Sequence, residues 1–273
     1  MRTHEDLAPP VQAARAAPRD TETRLQAVGR VYLWQGGSLW IGRGQGRSKW
    51  HDHHAIQVAL ALEGVCLFRT QTDGAWSEFK GAIVRAHRHH EFETHGATMA
   101  QLFIEPETIE GRQLGERYVD DITPLPESER LAMSQLLAGA LHAHGRPEEM
   151  IAAARAATLL LAGVAAPNAS RDTRVDKAIA HIRSHIHGPI TLAEVAAAAT
   201  LSAGRFRHLF VAETGTSFRV YVLWMRLNVA IQFVMAGQSW TAAAHAAGFA
   251  DSAHLTRTFK RMFGMNPAAL VPG

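Results

Sequence analysis

A chain of 273 residues is long enough for two domains, each with its own core. Its 47% apolar and 19% charged residues are ordinary for a water-soluble chain. No run of about twenty apolar residues is present to span a bilayer, so neither a membrane role nor a membrane partner is expected.

The net charge of +3 hides an asymmetry. Residues 171–273 carry +6 and residues 1–170 carry −3, which directs the C-terminal part toward a polyanion. Residues 1–23, rich in Ala, Pro, Arg and Thr, are expected to be a flexible tail; they lack the apolar core of a signal peptide, and a cytoplasmic chain is expected. Residues 24–125 have strand character. Val31–Trp34, Leu39–Gly42, Ile56–Arg69 and Met99–Ile104 are separated by expected turns at Gly36-Gly37, Gly42–Gly46 and Asp73-Gly74. Spacings this short, without helices between, predict an antiparallel sandwich or barrel. The single cysteine, Cys66, excludes an internal disulfide and falls in an apolar run, where an inert buried thiol is expected.

From residue 126 to 170 the period becomes helical, with Leu131, Leu136, Leu137 and Leu141 followed by an Ala/Leu-rich run from Ile151 to Val164. Such a stripe either fills a core between domains or forms the seam of a homodimer. A loop is expected at Pro167–Asp172.

Residues 171–273 read as short helices. Val175, Ile179, Ile182 and Ile186 share one helical face, with Gly188-Pro189 as the expected stop. Thr191-Leu-Ala-Glu194 is a capping box opening a helix through Ala198. A tight turn at Thr200-Leu201 leads to Ser202, the N-cap of a second helix that Gly215 stops after Thr214. Two short helices about such a turn form a helix-turn-helix unit. Leu201, Phe206, Leu209 and Phe210 face inward, leaving Gly204, Arg205, Arg207 and His208 outward, where arginine reads guanine edges or holds phosphates.

The pattern repeats. Trp240–Ala247 is a short helix capped by Ser239, Gly248-Phe249 makes the turn, and Asp251 or Ser252 opens a helix ending at Phe263-Gly264. Phe206, Phe210 and Gly215 align on Leu255, Phe259 and Gly264 at an offset of 49, whereas the first helices align at 48; one turn is a residue longer. A single helix between the units, spanning Ser217–Ala236, would be about 30 Å long. That is close to the roughly 34 Å between successive major grooves on one side of B-DNA.

These residues resemble the AraC/XylS family of transcription regulators over about residues 172–270. The resemblance rests on Arg226-Leu227, Ala246-Ala247-Gly248-Phe249 and Leu255-x3-Phe259-x3-Phe263-Gly264-x-Asn266-Pro267. It implies base contacts from Gly204, Arg207 and His208 in the first unit. In the second it implies them from Ser252, Ala253, His254, Thr256 and Arg257, with backbone around Ser202 and Thr258 meeting phosphates. Gly204 and Ala253 have little side chain to read with, so direct readout falls to Arg207, His208, His254 and Arg257.

The resemblance also implies an N-terminal cupin-like sensory barrel (a double-stranded β-helix) and an α+β chain overall: barrel, helical linker, and an all-α double helix-turn-helix domain. Gly46 to Gly64 looks like a first cupin motif, with His51 and His53 in HxH spacing and Gln57 where metal-binding cupins carry glutamate. His51, His53 and Gln57 share one strand face with Ala59 and Ala61. A second cluster, His87, His89, His90 and His95, falls where cupins supply their last histidine. Three readings stay open: an organic-effector pocket lined by Trp50, His51, His53 and Gln57; a divalent metal (Zn, Ni or Fe) on His51, His53, Gln57 and His90; and structural histidines. No nucleophile triad, P-loop or dinucleotide fingerprint is present, so an enzyme is not expected. A cupin-type metalloenzyme fused to a DNA-binding module, an effector-independent regulator and a non-specific architectural protein are the alternatives. The implied partners are double-stranded promoter DNA, a second copy, an effector and, for an activator, RNA polymerase.

Overall fold

The computed structural model describes residues 24–142, 145–163 and 172–273. The expected tail at 1–23 and most of the expected loop at 167–172 lie outside the described residues.

The N-terminal half is built on one sheet. Its strands are β1 (Gln26–Trp34), β2 (Gly37–Arg47), β3 (Ile56–Glu63), β4 (Cys66–Arg69), β5 (Ser77–Phe79), β6 (Gly81–Val84), β7 (Glu91–Ile104), β8 (Ile122–Pro124) and β9 (Leu270–Pro272). The order is β8-β6-β3-β7-β2-β1-β9, with β4 pairing β5 and β7. All pairings are antiparallel except β1 with β9. The long β7 serves as the spine, pairing with β2, β3 and β4.

Period-2 alternation sends the two sets of side chains into two cores. Leu39, Ile41, Val58, Leu60, Ile83, Leu102 and Ile104 face one way. Ala59, Ala61, Ala82, Val84, Met99 and Phe103 face the other. Both faces are covered, which is why β3 is buried over six consecutive residues. The expected turn at Gly42–Gly46 is instead part of β2. Gly42 lies opposite Gly29 in β1, and a Cβ on Gly42 would collide with the Val28 carbonyl and come within 2.6 Å of the Gly29 Cα. Here glycine permits close backbone approach rather than a reversal.

The first face is covered by α1 (Ile109–Arg117), α2 (Glu127–His142) and α3 (Pro147–Ala162). Met133, Leu137, Met150, Ala154 and Leu161 pack against the strands. These helices pack on the sheet face opposite the one that shares its core with later helices of the chain. Leu131, Leu136, Leu141 and Leu159 remain exposed on them.

The C-terminal helices are α4 (Thr173–Ser184), α5 (Leu192–Ala198), α6 (Ala203–Thr214), α7 (Phe218–Met235), α8 (Trp240–Ala246) and α9 (Ser252–Phe263); α7, α8 and α9 share the apolar cluster of the second face, while α4, α5 and α6 form a separate core with the first part of α7. α4 ends at Ser184 with His185 as C-cap, short of Gly188, although Ile186 still buries its side chain. Trp224, Leu227, Ile231, Phe259 and Phe263 join the same apolar cluster as Phe68, Phe92 and Phe103 of the sheet. α7 has the length and apolarity of a membrane span, but Tyr221, Trp224, Leu227, Ala230 and Ile231 on it are buried inside the molecule. β9, beyond α9, adds to the edge of the N-terminal sheet at β1.

Candidate nucleic-acid interface and histidine centre

The first helix-turn-helix unit is α5 and α6. Thr191 and Glu194 close a capping box on α5, Ser202 caps α6 by accepting from the Arg205 N–H, and Gly215 ends it at φ +72°. The second unit, α8 and α9, is capped by Ser239 and Asp251 and ends at Gly264, φ +64°. In both turns the same step takes a left-handed residue, Thr200 at φ 56° in one and Gly248 at φ 78° in the other, an offset of 48. The N-caps Ser202 and Asp251 and the terminal Gly215 and Gly264 are offset by 49. The extra residue in the second turn is therefore fixed between Gly248 and Asp251.

Phe206 and Phe210 are buried beneath α6, while Ser202, Gly204, Arg205, Arg207 and His208 are exposed. On α9, Leu255, Phe259 and Met262 are buried; Ala253 and Arg257 are exposed, and Ser252, His254 and Thr256 are half-buried. Thr258 is buried on the inner side of α9, so its side chain packs inward, and only the backbone there could meet a phosphate. His254 packs edge-on to Phe249 at 5.3 Å, and burial together with the charge of Arg257 lowers its pKa. α7, of 18 residues, spans about 27 Å between the units.

The histidines expected from separate segments converge. His51 bridges to His90 across an isolated strand contact, and the ring centroids of His51, His53 and His90 lie 4.3–5.9 Å apart. All three are buried, and a ligand nitrogen from each lies within 4.8 Å of the other two. Gln57 Oε1 is 3.1 Å from His53 Nε2 and 3.2 Å from His90 Nε2. Burial pushes the pKa of His51 down to about 3, with the neighbouring His53 adding to the effect, and lowers those of His53 and His90, so the rings are neutral. Trp50 is half-buried, with no ring contact to the three imidazoles among the described residues. His89 and His95 are exposed and form loose pairs with Asp52 and Glu93.

A second buried polar group joins the sheet to the helices, and local sequence patterns did not reveal it because its members are far apart in the chain. Glu107 accepts from His54 Nε2 at 2.8 Å and from the Tyr221 hydroxyl at 2.8 Å. Arg183 of α4 donates to Glu105 at 2.9 Å. Burial alone would raise the pKa of Glu107, but His54 and the bonds it accepts hold it low, whereas burial and Glu107 push Glu105 up to about 7. A carboxyl with a raised folded pKa contributes stability below its unfolded value and loses it as pH rises through the folded value. Wild type should therefore lose stability relative to Glu105→Gln as pH rises from about 4.5 to about 7. Urea unfolding of both proteins across that window checks this; a constant difference would show that Glu105 does not titrate there.

With both reading helices capped and turned alike, the comparison with known families is decisive for this half. Residues 195–271 match the family described as "Helix-turn-helix domain". Residues 195–271 are a helix-turn-helix domain. Among curated proteins, the chain is 34% identical over 122 residues to the transcriptional activator NphR of Rhodococcus sp, covering 44% of this chain and 35% of that one. It is 31% identical over 88 residues to the probable transcriptional regulator LumQ of Photobacterium leiognathi, covering 32% and 36%. The matches span about a third of the length of these relatives. Among solved structures, ToxT from Vibrio cholerae has a TM-score of 0.54 at 11% identity over 90% of this chain and 94% of that one. A second ToxT structure, with unsaturated fatty acid bound, has a TM-score of 0.52 at 9% identity over 89% and 92%. The fold is thus shared beyond the helix-turn-helix domain, through the sheet as well.

Proposed function

We propose that the chain is a sequence-specific regulator of transcription that binds promoter DNA through α6 and α9 and is controlled through its N-terminal sheet. The observation that carries this is the duplicated helix-turn-helix. Two independently capped helices each present arginine outward, Arg207 and Arg257, on either side of a helix about 27 Å long. The matches to an activator and to a probable regulator support the same reading.

The finer assignments belong to this proposal. Residues 24–125 form a cupin-like sensory barrel, 126–170 a helical linker and 171–273 the DNA-binding domain. The exposed Leu131, Leu136, Leu141 and Leu159 favour a homodimer through the linker. Control by a small effector is supported by the fatty-acid-bound ToxT structure of the same fold. Such a chain acts in the cytoplasm, and an activator would also engage RNA polymerase.

The test is selection of binding sites from randomised duplex DNA by the full chain, followed by footprinting at fixed salt. Enrichment of a motif with two half-sites about one helical turn apart is expected. Recovery of unrelated sequences, with affinity set by salt alone, would mean non-specific binding.

A further inference from the structure

We propose that His51, His53, His90 and the carbonyl oxygen of Gln57 bind one divalent transition cation of the Zn2+ or Ni2+ class, and that this site positions both DNA-reading helices. The second half rests on reading the chain as a DNA-binding regulator.

The donor set argues for a cation. His51 Nδ1 donates to Lys49 O, His53 Nδ1 to Ala55 O and His90 Nδ1 to Arg88 O, each at 2.8 Å. Carbonyl support on one ring nitrogen fixes the tautomer and leaves Nε2 as a lone pair, the arrangement that outer partners give to metal-binding imidazoles. The Gln57 amide nitrogen is committed to Gln101 Oε1. Its own oxygen therefore faces the lone pairs of His53 and His90 at 3.1 and 3.2 Å. Three imidazole nitrogens and one amide oxygen, all acceptors, converge with no donor among them. A cation relieves that repulsion, and imidazole-rich sites suit zinc and nickel. Without one, a half-turn of the Gln57 amide would offer its N–H2 to His53 and His90. Trp224 adds an independent sign. Its indole lies tilted beside His53, ring centroids 6.4 Å apart, and its buried N–H has no hydrogen-bond partner among the described residues.

The same loops hold the ends of both reading helices. The Lys49 N–H donates to Gly264 O at 2.7 Å, while the Lys49 carbonyl holds His51. Gly264 ends α9, and a Cβ there would collide with Lys49 O and come within 2.7 Å of His51 Nδ1. Gly215 ends α6, and a Cβ there would sit 3.2 Å from His87 Nε2. The His87 N–H in turn donates to His53 O at 2.9 Å. A cation that tightens His51 and His53 therefore tightens the seats of both helix ends.

Binding free energies are reciprocal, so the coupling is measurable without DNA. Metal-free full-length protein is titrated with Zn2+ against a chromophoric chelator, with metal content measured after dialysis. One Zn2+ per chain is expected in wild type. His53→Ala and His90→Ala should weaken it by more than the roughly 10–100-fold typical of outer partners. Gln57→Glu, which adds the missing negative charge, should tighten it. Gly264→Ala, outside the coordinating set, should weaken it about fivefold or more. Gly237→Ala carries the same kind of backbone strain, at φ +90°, with nothing within 4 Å of its Cβ, and should leave it unchanged. Absence of stoichiometric Zn2+ in both wild type and Gln57→Glu overturns the site, whatever the alanine variants do. Normal Zn2+ affinity in folded Gly264→Ala overturns the coupling but keeps the site. Failure to select a DNA motif would overturn the regulator reading and leave these titrations untouched.

Discussion

Glu107→Ala is expected to cost about 3–5 kcal/mol of stability, because it removes the shared acceptor of a buried group and strands its donors. Glu107 is 2% exposed and accepts from His54 of the N-terminal half and Tyr221 of α7. Both donors lose their partner at once in a place water does not reach, and each would bear a desolvation cost of about 1–3 kcal/mol. Tyr221→Phe deletes one donor and leaves Glu107 with His54, so its cost should be smaller, about 1–2 kcal/mol. The two halves should also separate in their unfolding, since this group spans them. Urea unfolding followed by both far-UV circular dichroism and tryptophan fluorescence reads both effects. Coincident transitions and a loss below 1 kcal/mol for Glu107→Ala would show that the apolar contacts of Trp224 and Phe263 suffice to hold the halves together.

Arg207→Ala and Arg257→Ala should each weaken binding to a selected site by about 1–3 kcal/mol, or about five- to 150-fold, if each arginine grips a guanine through two bonds. Both side chains are exposed on helices whose opposite faces are locked into the core by Phe206 and Phe210 or by Leu255 and Phe259. The helices are therefore rigid mounts, and loss of one side chain should not be absorbed by reorientation. Titrations at several salt concentrations separate base reading from phosphate binding. A base contact gives a loss confined to sites with the cognate base pair. An equal loss on every sequence, with a shallower salt slope, would reassign that arginine to the backbone.

The helical half was legible because its signals are local. Ser202, Thr191 with Glu194, Ser239 and the two terminal glycines each act on the backbone within three or four residues, and each does what its chemistry dictates. Even the extra residue in the second turn showed as a change of offset. The strands were legible in alternation but not in number or in their turns: Ile56–Arg69 is two strands, Gly42 has the composition of a reversal, and only its partner Gly29 across the sheet shows a close approach. The inward turn of the Thr258 side chain was not legible either, since a short polar side chain on a helix gives no sign of its direction until Leu255 and Met262 are placed. His51, His53 and Gln57 shared a face by strand period, whereas His90 joined them only through the cupin resemblance. The seat of Gly264 on Lys49, the Glu107 group and the orphaned Trp224 N–H depend on how two distant halves meet, and no local pattern encodes that.

The short strand β9 gives the chain a timetable as well as a shape. β1 pairs with β2 on one side as soon as both exist, but its other side waits for Leu270–Pro272. Chain growth at roughly 5–20 residues per second leaves that strand uncovered for on the order of ten seconds or more. During that interval a bare row of amides and carbonyls, with Val28 half-exposed, is open to pairing with any neighbouring chain. Yield on expression should therefore depend on how quickly the last strand arrives. Slowing translation across the helical half would raise aggregation without altering one contact of the finished fold.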